Sequence, residues 1–324
     1  MINVSIVGGT GYTAGELLRI LVNHPKVRIE SVLSTTMAGK RIDEVHRDLI
    51  GETDLTFTDK FDNPDVIFLC LGHGLSRDFL KSNVLPEECR IIDLGNDFRN
   101  EPTFDGKNFV FGLCEKNREE IKNAKYIANP GCFATSIMLA LLPLANENLI
   151  TDEVHIHAIT GSTGAGKRPG ETTHFSYRDN NISIYKLFTH QHIEEIRNTL
   201  MDAGNKDLPQ INFVPMRGDF TRGIFASVYT KWGNKISEDE VVKLYKEYYK
   251  ESPFVFISEK SVNLKEVVNT NKGLLHIEFH NGYIHISSII DNLLKGASGQ
   301  AVQNMNLMFG FEESMGLKLK GSAF

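Results

Sequence analysis

The chain has little cysteine: four in 324 residues, Cys70, Cys89, Cys114 and Cys132, with no Cys-x-x-Cys pair. That spacing excludes a disulfide framework and a cysteine zinc site, and it fits a reducing, cytoplasmic setting. Excess positive charge is also missing. Lys and Arg number 35 against 41 Asp and Glu, for a net charge of −6, and no basic block interleaves with aromatics. Nucleic acid is therefore not an expected partner. The longest apolar run, around residues 132–145, is too short and interrupted to span a bilayer, so no membrane partner is expected. The opening Met1-Ile2-Asn3-Val4-Ser5-Ile6-Val7 has neither the basic stretch nor the cleavage site of a signal peptide. Repeats and low-complexity linkers are absent. The remainder, 41% hydrophobic and 23% charged, is an ordinary soluble composition long enough for two domains.

Residues 2–7 read as a buried strand that ends in Gly8-Gly9-Thr10-Gly11-Tyr12-Thr13-Ala14-Gly15. A helix from Glu16 and a second strand, Val27 to Leu33, complete a βαβ unit with its glycines at the first strand-to-helix turn. Glycine lets backbone approach a pyrophosphate, and the helix start supplies N–H donors. Gly8, Thr10, Gly11, Tyr12, Thr13 and Ala14 are thus the candidate dinucleotide contacts. The tip of the second strand normally selects the cofactor, an acidic residue there favouring NAD. Here it reads Ser34-Thr35-Thr36-Met37-Ala38-Gly39-Lys40, while Glu30 falls mid-strand. Ser34, Thr35 and Lys40 point instead to NADP(H).

Further strands, 66–71 and 90–94, alternate with helices such as 76–84 and 116–123, which predicts a doubly wound parallel sheet. The last of its strands, 126–129, runs into Asn129-Pro130-Gly131-Cys132 and then an apolar helical run from Phe133, expected to stop at Pro143. This puts the Cys132 sulfur at a helix start, where backbone N–H groups and the helix dipole favour the thiolate that attacks carbonyl carbon. The competing reading is a buried, inert cysteine.

After that helix, strands at 153–160, 211–216, 223–231, 274–280 and 283–290 alternate in polarity with few crossover helices. They predict an α+β second domain with a mixed or largely antiparallel sheet. A helix near 237–251 opens with a capping box, Ser237 and Glu240. The expected division is a Rossmann domain over 1–131, completed by a C-terminal helix within 296–324, and a substrate domain over 132–295.

Gly161-Ser162-Thr163-Gly164-Ala165-Gly166-Lys167-Arg168 nearly spells a P-loop, but Arg168 stands where Mg²⁺ ligation needs Ser or Thr. A kinase is thus a poor fit, and the loop reads as a glycine turn able to hold an anion. His190-Gln191-His192 opens another helical run, with histidines suited to acid/base work. A metal site built on His155, His157, His190 and His192 lacks a Cys or carboxylate at ligand spacing, so no metal is expected. Arg217 and Arg222 both flank a strand edge where a guanidinium can clamp a carboxylate or phosphate.

Taken together, the glycine turn, Asp93-Leu94, Asp97-Phe98-Arg99, Asn129-Pro130-Gly131-Cys132, Gly164-Ala165-Gly166, His190-Gln191-His192 and residues 291–301 resemble the N-acetyl-gamma-glutamyl-phosphate reductases, relatives of the aspartate-semialdehyde dehydrogenases. The resemblance implies an NADPH-dependent reductase of an acyl phosphate in arginine biosynthesis. Cys132 would form a thioester, and His192 would act as acid/base with His190 orienting or touching substrate. It also implies substrate contacts from Asn129, Arg99, Gly164, Lys167 and Arg222, and cofactor contacts from Asn292, Lys295 and Gly296. Homodimers or homotetramers are what the family suggests. An N-succinylglutamyl or N-acetylaminoadipyl phosphate would use the same chemistry, and a non-catalytic dinucleotide-binding regulator is the alternative outside enzymology. The family often has Ser-Arg where this chain has Ser34-Thr35, and Arg where it has Lys167.

Overall fold

The structure is a computed structural model that describes residues 1–72, 74–233 and 236–322. His73 and the last two residues of the expected C-terminal segment lie outside the described residues. The chain forms two compact units, residues 1–130 with 297–318 and residues 131–296 with 319–324.

The first unit begins with β1 (Ile2–Val7), α1 (Tyr12–Leu21), β2 (Val27–Leu33), β3 (Val66–Leu69), α2 (Leu75–Ser82) and β4 (Arg90–Asp93). A small hairpin follows, β5 (Thr103–Phe104) and β6 (Lys107–Asn108), then β7 (Val110–Phe111), α3 (Cys114–Asn123) and β8 (Tyr126–Ala128). Six strands form one sheet in the order β2-β1-β3-β4-β8-β7, with every pair parallel. β3 is buried along its whole length, as a strand covered on both faces must be. β8 is the sheet's last strand in chain order, but the two-residue β7 takes the edge beside it. Between β1 and β2 the register slips at Val4/Ser5 and skips Glu30, so this acidic residue sits mid-strand, short of the tip.

The second unit holds α4 (Cys132–Asn146), β9 (Val154–Thr160), α5 (Phe175–Arg178), β10 (Ser183–Ile184), α6 (His192–Ala203), β11 (Ile211–Arg217) and β12 (Ile224–Lys231). It continues with α7 (Glu238–Tyr248), β13 (Val255–Ser258), β14 (Gly273–His280) and β15 (Tyr283–Ile290), and the first unit is completed by α8 (Gly299–Met308). Its seven strands run β10-β11-β9-β12-β15-β14-β13 in a mixed sheet. β9 and β12 alternate buried and part-exposed residues, the signature of a sheet with one face in the core. α4 lies on that buried face against β12, β14 and β15, with every residue from Phe133 to Ala145 buried.

Pro143 does not stop this helix, contrary to the expectation from sequence; it lies inside α4. A proline in that position removes the N–H that would bond the carbonyl four residues back, Leu139. The Tyr249 hydroxyl, just past the end of α7, donates to that carbonyl at 2.7 Å, and the buried Tyr245 hydroxyl donates to Ala140 O at 2.5 Å. The lost backbone bond is thus made good from a neighbouring helix. Replacing Tyr249 with Phe is expected to lower unfolding free energy by about 1–3 kcal/mol, the cost of a buried carbonyl left unbonded. Adding Pro143→Ala, which restores the N–H, should shrink that loss. Urea titrations of the single and double variants read both effects.

Candidate active site

In the first unit the glycine turn has the shape a pyrophosphate requires. Gly8 has φ +80, and a Cβ there would fall 2.4 Å from the Cys70 carbonyl oxygen. Gly11 is the N-cap of α1 and, having no side chain, places no cap on the first N–H groups of the helix. The start of α2 differs. There the Asp97 carboxylate accepts from the N–H groups of Gly74, Ser76 and Arg77 at 2.7–3.1 Å. Past the end of β2, Ser34 Oγ faces Thr36 Oγ1 at 3.4 Å, and Lys40 is exposed on the following turn. The tip thus offers hydroxyls and a cation with no carboxylate on the strand end, which fits a ribose phosphate. Asn129 is buried, accepts from the Asn304 side chain and donates to Ala297 O, each at 3.1 Å. Arg99 donates to the Asn129 carbonyl at 2.8 Å and to Leu94 O at 3.1 Å, so it braces this turn.

In the second unit Cys132 is the first residue of α4, with extended Gly131 as the N-cap. Burial pushes the Cys70 and Cys89 thiols up to about 12, which leaves them inert. Two missing side chains shape the surroundings of Cys132. A Cβ on Gly131 would lie 2.3 Å from His192 Nε2, and one on Gly296 would lie 2.8 Å from Cys132 Cβ. The imidazole therefore rests directly against the backbone that leads into Cys132.

His192 is held from behind by Glu195, one helical turn on. Glu195 Oε1 is 3.6 Å from His192 Nε2, and Oε2 accepts the Gly131 N–H at 3.1 Å. Glu195 and both histidines are buried. His190 meets His192 edge-on at 4.5 Å, and its Nδ1 accepts the His192 backbone N–H at 3.2 Å. That bond places the proton of neutral His190 on Nε2. Burial foremost, then the nearby Lys186 and Arg217 cations, lower its pKa to about 4. Tyr185 packs edge-on against His190 at 5.7 Å, and burial and then the Cys132 charge push its hydroxyl pKa up, partly opposed by Arg217.

The remaining candidates scatter. The near-P-loop is a short 3₁₀ turn, Ser162–Ala165, and α-helix does not follow it. Its N–H groups bond inward: Ser162 to Phe220 O, Thr163 to Thr221 O and Gly164 to Gly161 O. Lys167 is exposed on the loop beyond it. Arg222 forms a bidentate pair with the fully buried Asp291, both bonds 3.1 Å. Asn292 accepts the Gly223 N–H at 2.7 Å and donates to Thr163 Oγ1 at 3.1 Å. Lys295 is buried and Gly296 walls Cys132. Among the described residues no group of three or more His, Cys, Asp or Glu is arranged to hold a metal ion, and no helix is long and apolar enough to cross a membrane.

Sequence reasoning missed Glu195, Tyr185 and the loop before His190. Glu195 carried a signal, since it lies three residues past His192 on a helix and shares its face. The loop carried none: Lys186 and Phe188 adopt φ +46 and +55, a left-handed conformation imposed by tertiary contacts. Phe188 N–H donates to Phe213 O and Tyr185 N–H to Pro215 O, both at 3.1 Å, which lays the loop along β11.

Two family profiles match the chain: "Semialdehyde dehydrogenase, NAD binding domain" over residues 3–124, and "Semialdehyde dehydrogenase, dimerisation domain" over residues 132–292. Proteins named N-acetyl-gamma-glutamyl-phosphate reductase from Christiangramia forsetii and Flavobacterium johnsoniae are 52% and 54% identical, aligned over 100% of both chains. Among solved structures, aspartate semialdehyde dehydrogenase II complexed with ASA from Vibrio cholerae shares the fold, with a TM-score of 0.70 at 18% identity over 96% of this chain and 98% of that one. An aspartate semialdehyde dehydrogenase with NADP from Candida albicans gives 0.72 at 13% identity over 95% and 99%.

The depressed pKa of His190 sets a pH dependence. The folded chain binds fewer protons at this residue than the unfolded chain between about 4 and the ordinary 6.5. Its favourable contribution is complete above that window and is lost as pH falls through it. Denaturant titrations of wild type and His190→Gln from pH 7 to pH 4 should show the smaller loss of stability in the variant.

Proposed function

The chain belongs to the N-acetyl-gamma-glutamyl-phosphate reductases of the semialdehyde dehydrogenase family, and on that premise we propose that it reduces N-acetyl-gamma-glutamyl phosphate to N-acetylglutamate 5-semialdehyde with release of phosphate, through a Cys132 thioester. It is an NADP(H)-dependent oxidoreductase, and the pathway its relatives' name implies is arginine biosynthesis. The observation that carries the reading is that shared name, held by proteins 52% and 54% identical from end to end.

The residues fit the chemistry. The Cys132 proton passes to His192, and the sulfur attacks the acyl carbon. The carbon–oxygen bond to phosphate breaks as His192 returns that proton to the leaving oxygen. When bound, NADPH supplies the hydride that reduces the thioester carbon. The resulting tetrahedral oxyanion collapses to the aldehyde, the carbon–sulfur bond breaks, and the thiolate takes a proton from water. We assign the proton transfers to His192 because its Nε2 lies against Gly131 and faces the Glu195 carboxylate. His190, with its lowered pKa, orients that ring. Gly8, Gly11 and the N–H groups of Tyr12, Thr13 and Ala14 would hold the cofactor pyrophosphate, with Ser34, Thr35 and Lys40 at its ribose phosphate.

Assembly as a homodimer or homotetramer in the cytoplasm completes the proposal. The match to a dimerisation domain supports it, as does an apolar fringe on the second unit where Phe175, Ile182, Ile184 and Phe188 are more than half exposed.

The reaction is tested in reverse, by NADP⁺ reduction with N-acetylglutamate semialdehyde and phosphate, the N-succinyl and aminoadipyl analogues run alongside. Phosphate-dependent turnover is expected with the N-acetyl substrate, and turnover with only an analogue would reassign the acyl group. Cys132→Ser should abolish turnover while still binding NADPH, and His192→Asn should lower kcat about 10²–10⁴-fold. A Cys132→Ser enzyme that still turns over would sink the thioester. Tight NADPH binding with no turnover on any substrate would make the protein a regulator.

A further inference from the structure

The sequence offers Arg217 and Arg222 alike as clamps for an anion, and the structure separates them. The fork of Arg222 is engaged by Asp291, whose two oxygens it meets at 3.1 Å each. Arg217, the last residue of β11, forms no ion pair among the described residues. Its guanidinium lies 4.6 Å over the Tyr185 ring, its Nη1 reaches Thr172 Oγ1 at 3.4 Å, and its Nε is buried without a hydrogen-bond partner. A guanidinium keeps its charge at any working pH, and beyond the ring its contacts are with the Thr172 and Tyr185 hydroxyls, which leave the buried Nε donor without a partner. An oxyanion would satisfy it.

The position of Arg217 is equally informative. Tyr185, beneath its guanidinium, meets His190 edge-on, and His190 meets His192, whose ring rests on Gly131 beside Cys132. Cys132 and Arg217 are both near enough to act on the Tyr185 hydroxyl, with opposite sign as their charges require. The buried Arg178 fixes the surroundings by donating to the Arg217 carbonyl at 2.6 Å, to Thr172 O at 3.3 Å and to Ser183 Oγ at 2.8 Å. The site is thus built before any ligand arrives.

We propose that Arg217 binds an oxyanion of the substrate, making the fork contact that Asp291 denies to Arg222. This deepens the reaction proposed above and rests on it. That substrate carries two such groups, the acyl phosphate and the carboxylate at its other end, and both match a guanidinium fork.

The reverse reaction separates them, because phosphate and semialdehyde are then supplied as independent reactants. Arg217→Met keeps the packing over Tyr185 and loses the charge, while Arg217→Lys keeps the charge and loses the fork. The KM of one reactant should rise about ten- to hundredfold in the Met variant, as for loss of a hydrogen bond to a charged group. A smaller rise is expected in the Lys variant, with kcat within a few fold and the KM for NADP⁺ unchanged in both. A rise for phosphate assigns Arg217 to the acyl phosphate, and a rise for semialdehyde assigns it to the carboxylate. A variant that turns over with both constants within twofold of wild type overturns the proposal, as does an equal rise for NADP⁺. Should the Met variant fail to fold, the Lys variant reads the same constants. A second measurement needs no turnover, so it stands even if the reaction above is wrong. Inorganic phosphate or N-acetylglutamate should slow alkylation of Cys132 in the wild-type protein and not in the Arg217 variants, and equal protection in both overturns the proposal.

Discussion

The carboxylate of Glu195 is the fixed point of the cluster around Cys132 and His192. One oxygen takes the Gly131 N–H at the threshold of α4, and the other faces the His192 ring 3.6 Å away. A single buried carboxylate thereby meets both the backbone that leads into Cys132 and the imidazole packed against it. Burying a carboxylate is costly unless its oxygens find donors. Here one oxygen has the Gly131 N–H as donor and the other lies beside His192, so the geometry around Cys132 and the satisfaction of the buried carboxylate are linked. The glycines at 131 and 296 belong to the same condition, since any side chain at either would collide with His192 or Cys132.

Much of this was legible in the sequence because the signals are local. Strands covered on both faces read as unbroken apolar runs, and strands of the second unit read as alternation, which is how β1, β3, β9 and β12 could be placed. The glycine turn and the Asn129-Pro130-Gly131-Cys132 turn carry their geometry in residue types with unusual backbone freedom. What was not legible depends on partners distant in the chain. Pro143 looks like a helix stop until a tyrosine more than a hundred residues later supplies the missing hydrogen bond. Arg222 reads from sequence as a cation at a strand edge, and nothing local shows that Asp291 will meet its fork. The glycine loop at 161–167 looks like a phosphate cradle because composition does not record which way its N–H groups point.

The two units divide the chemistry by the kind of group each supplies. The first offers backbone donors at one helix start, with hydroxyls and a lysine at a strand tip, an environment for holding a large polyanion without reacting with it. The second offers titratable side chains packed among aromatic rings: Phe133 lies edge-on to His190 and His192, and Phe213 to His190. Apolar walls weaken competing solvation and make each charge in the site count for more. Titratable groups are tuned by such a setting, whereas a pyrophosphate does not need it.

The tyrosine–proline arrangement on α4 has a consequence for descent. Pro143 is tolerable where a hydroxyl reaches the Leu139 carbonyl, and that hydroxyl gains its purpose from the proline. A lineage that lost the tyrosine first would carry an exposed defect in its most buried helix, while one that lost the proline first would carry only a redundant donor. The order of substitution is therefore biased, and positions 143 and 249 should change together across related chains although neither touches the reaction.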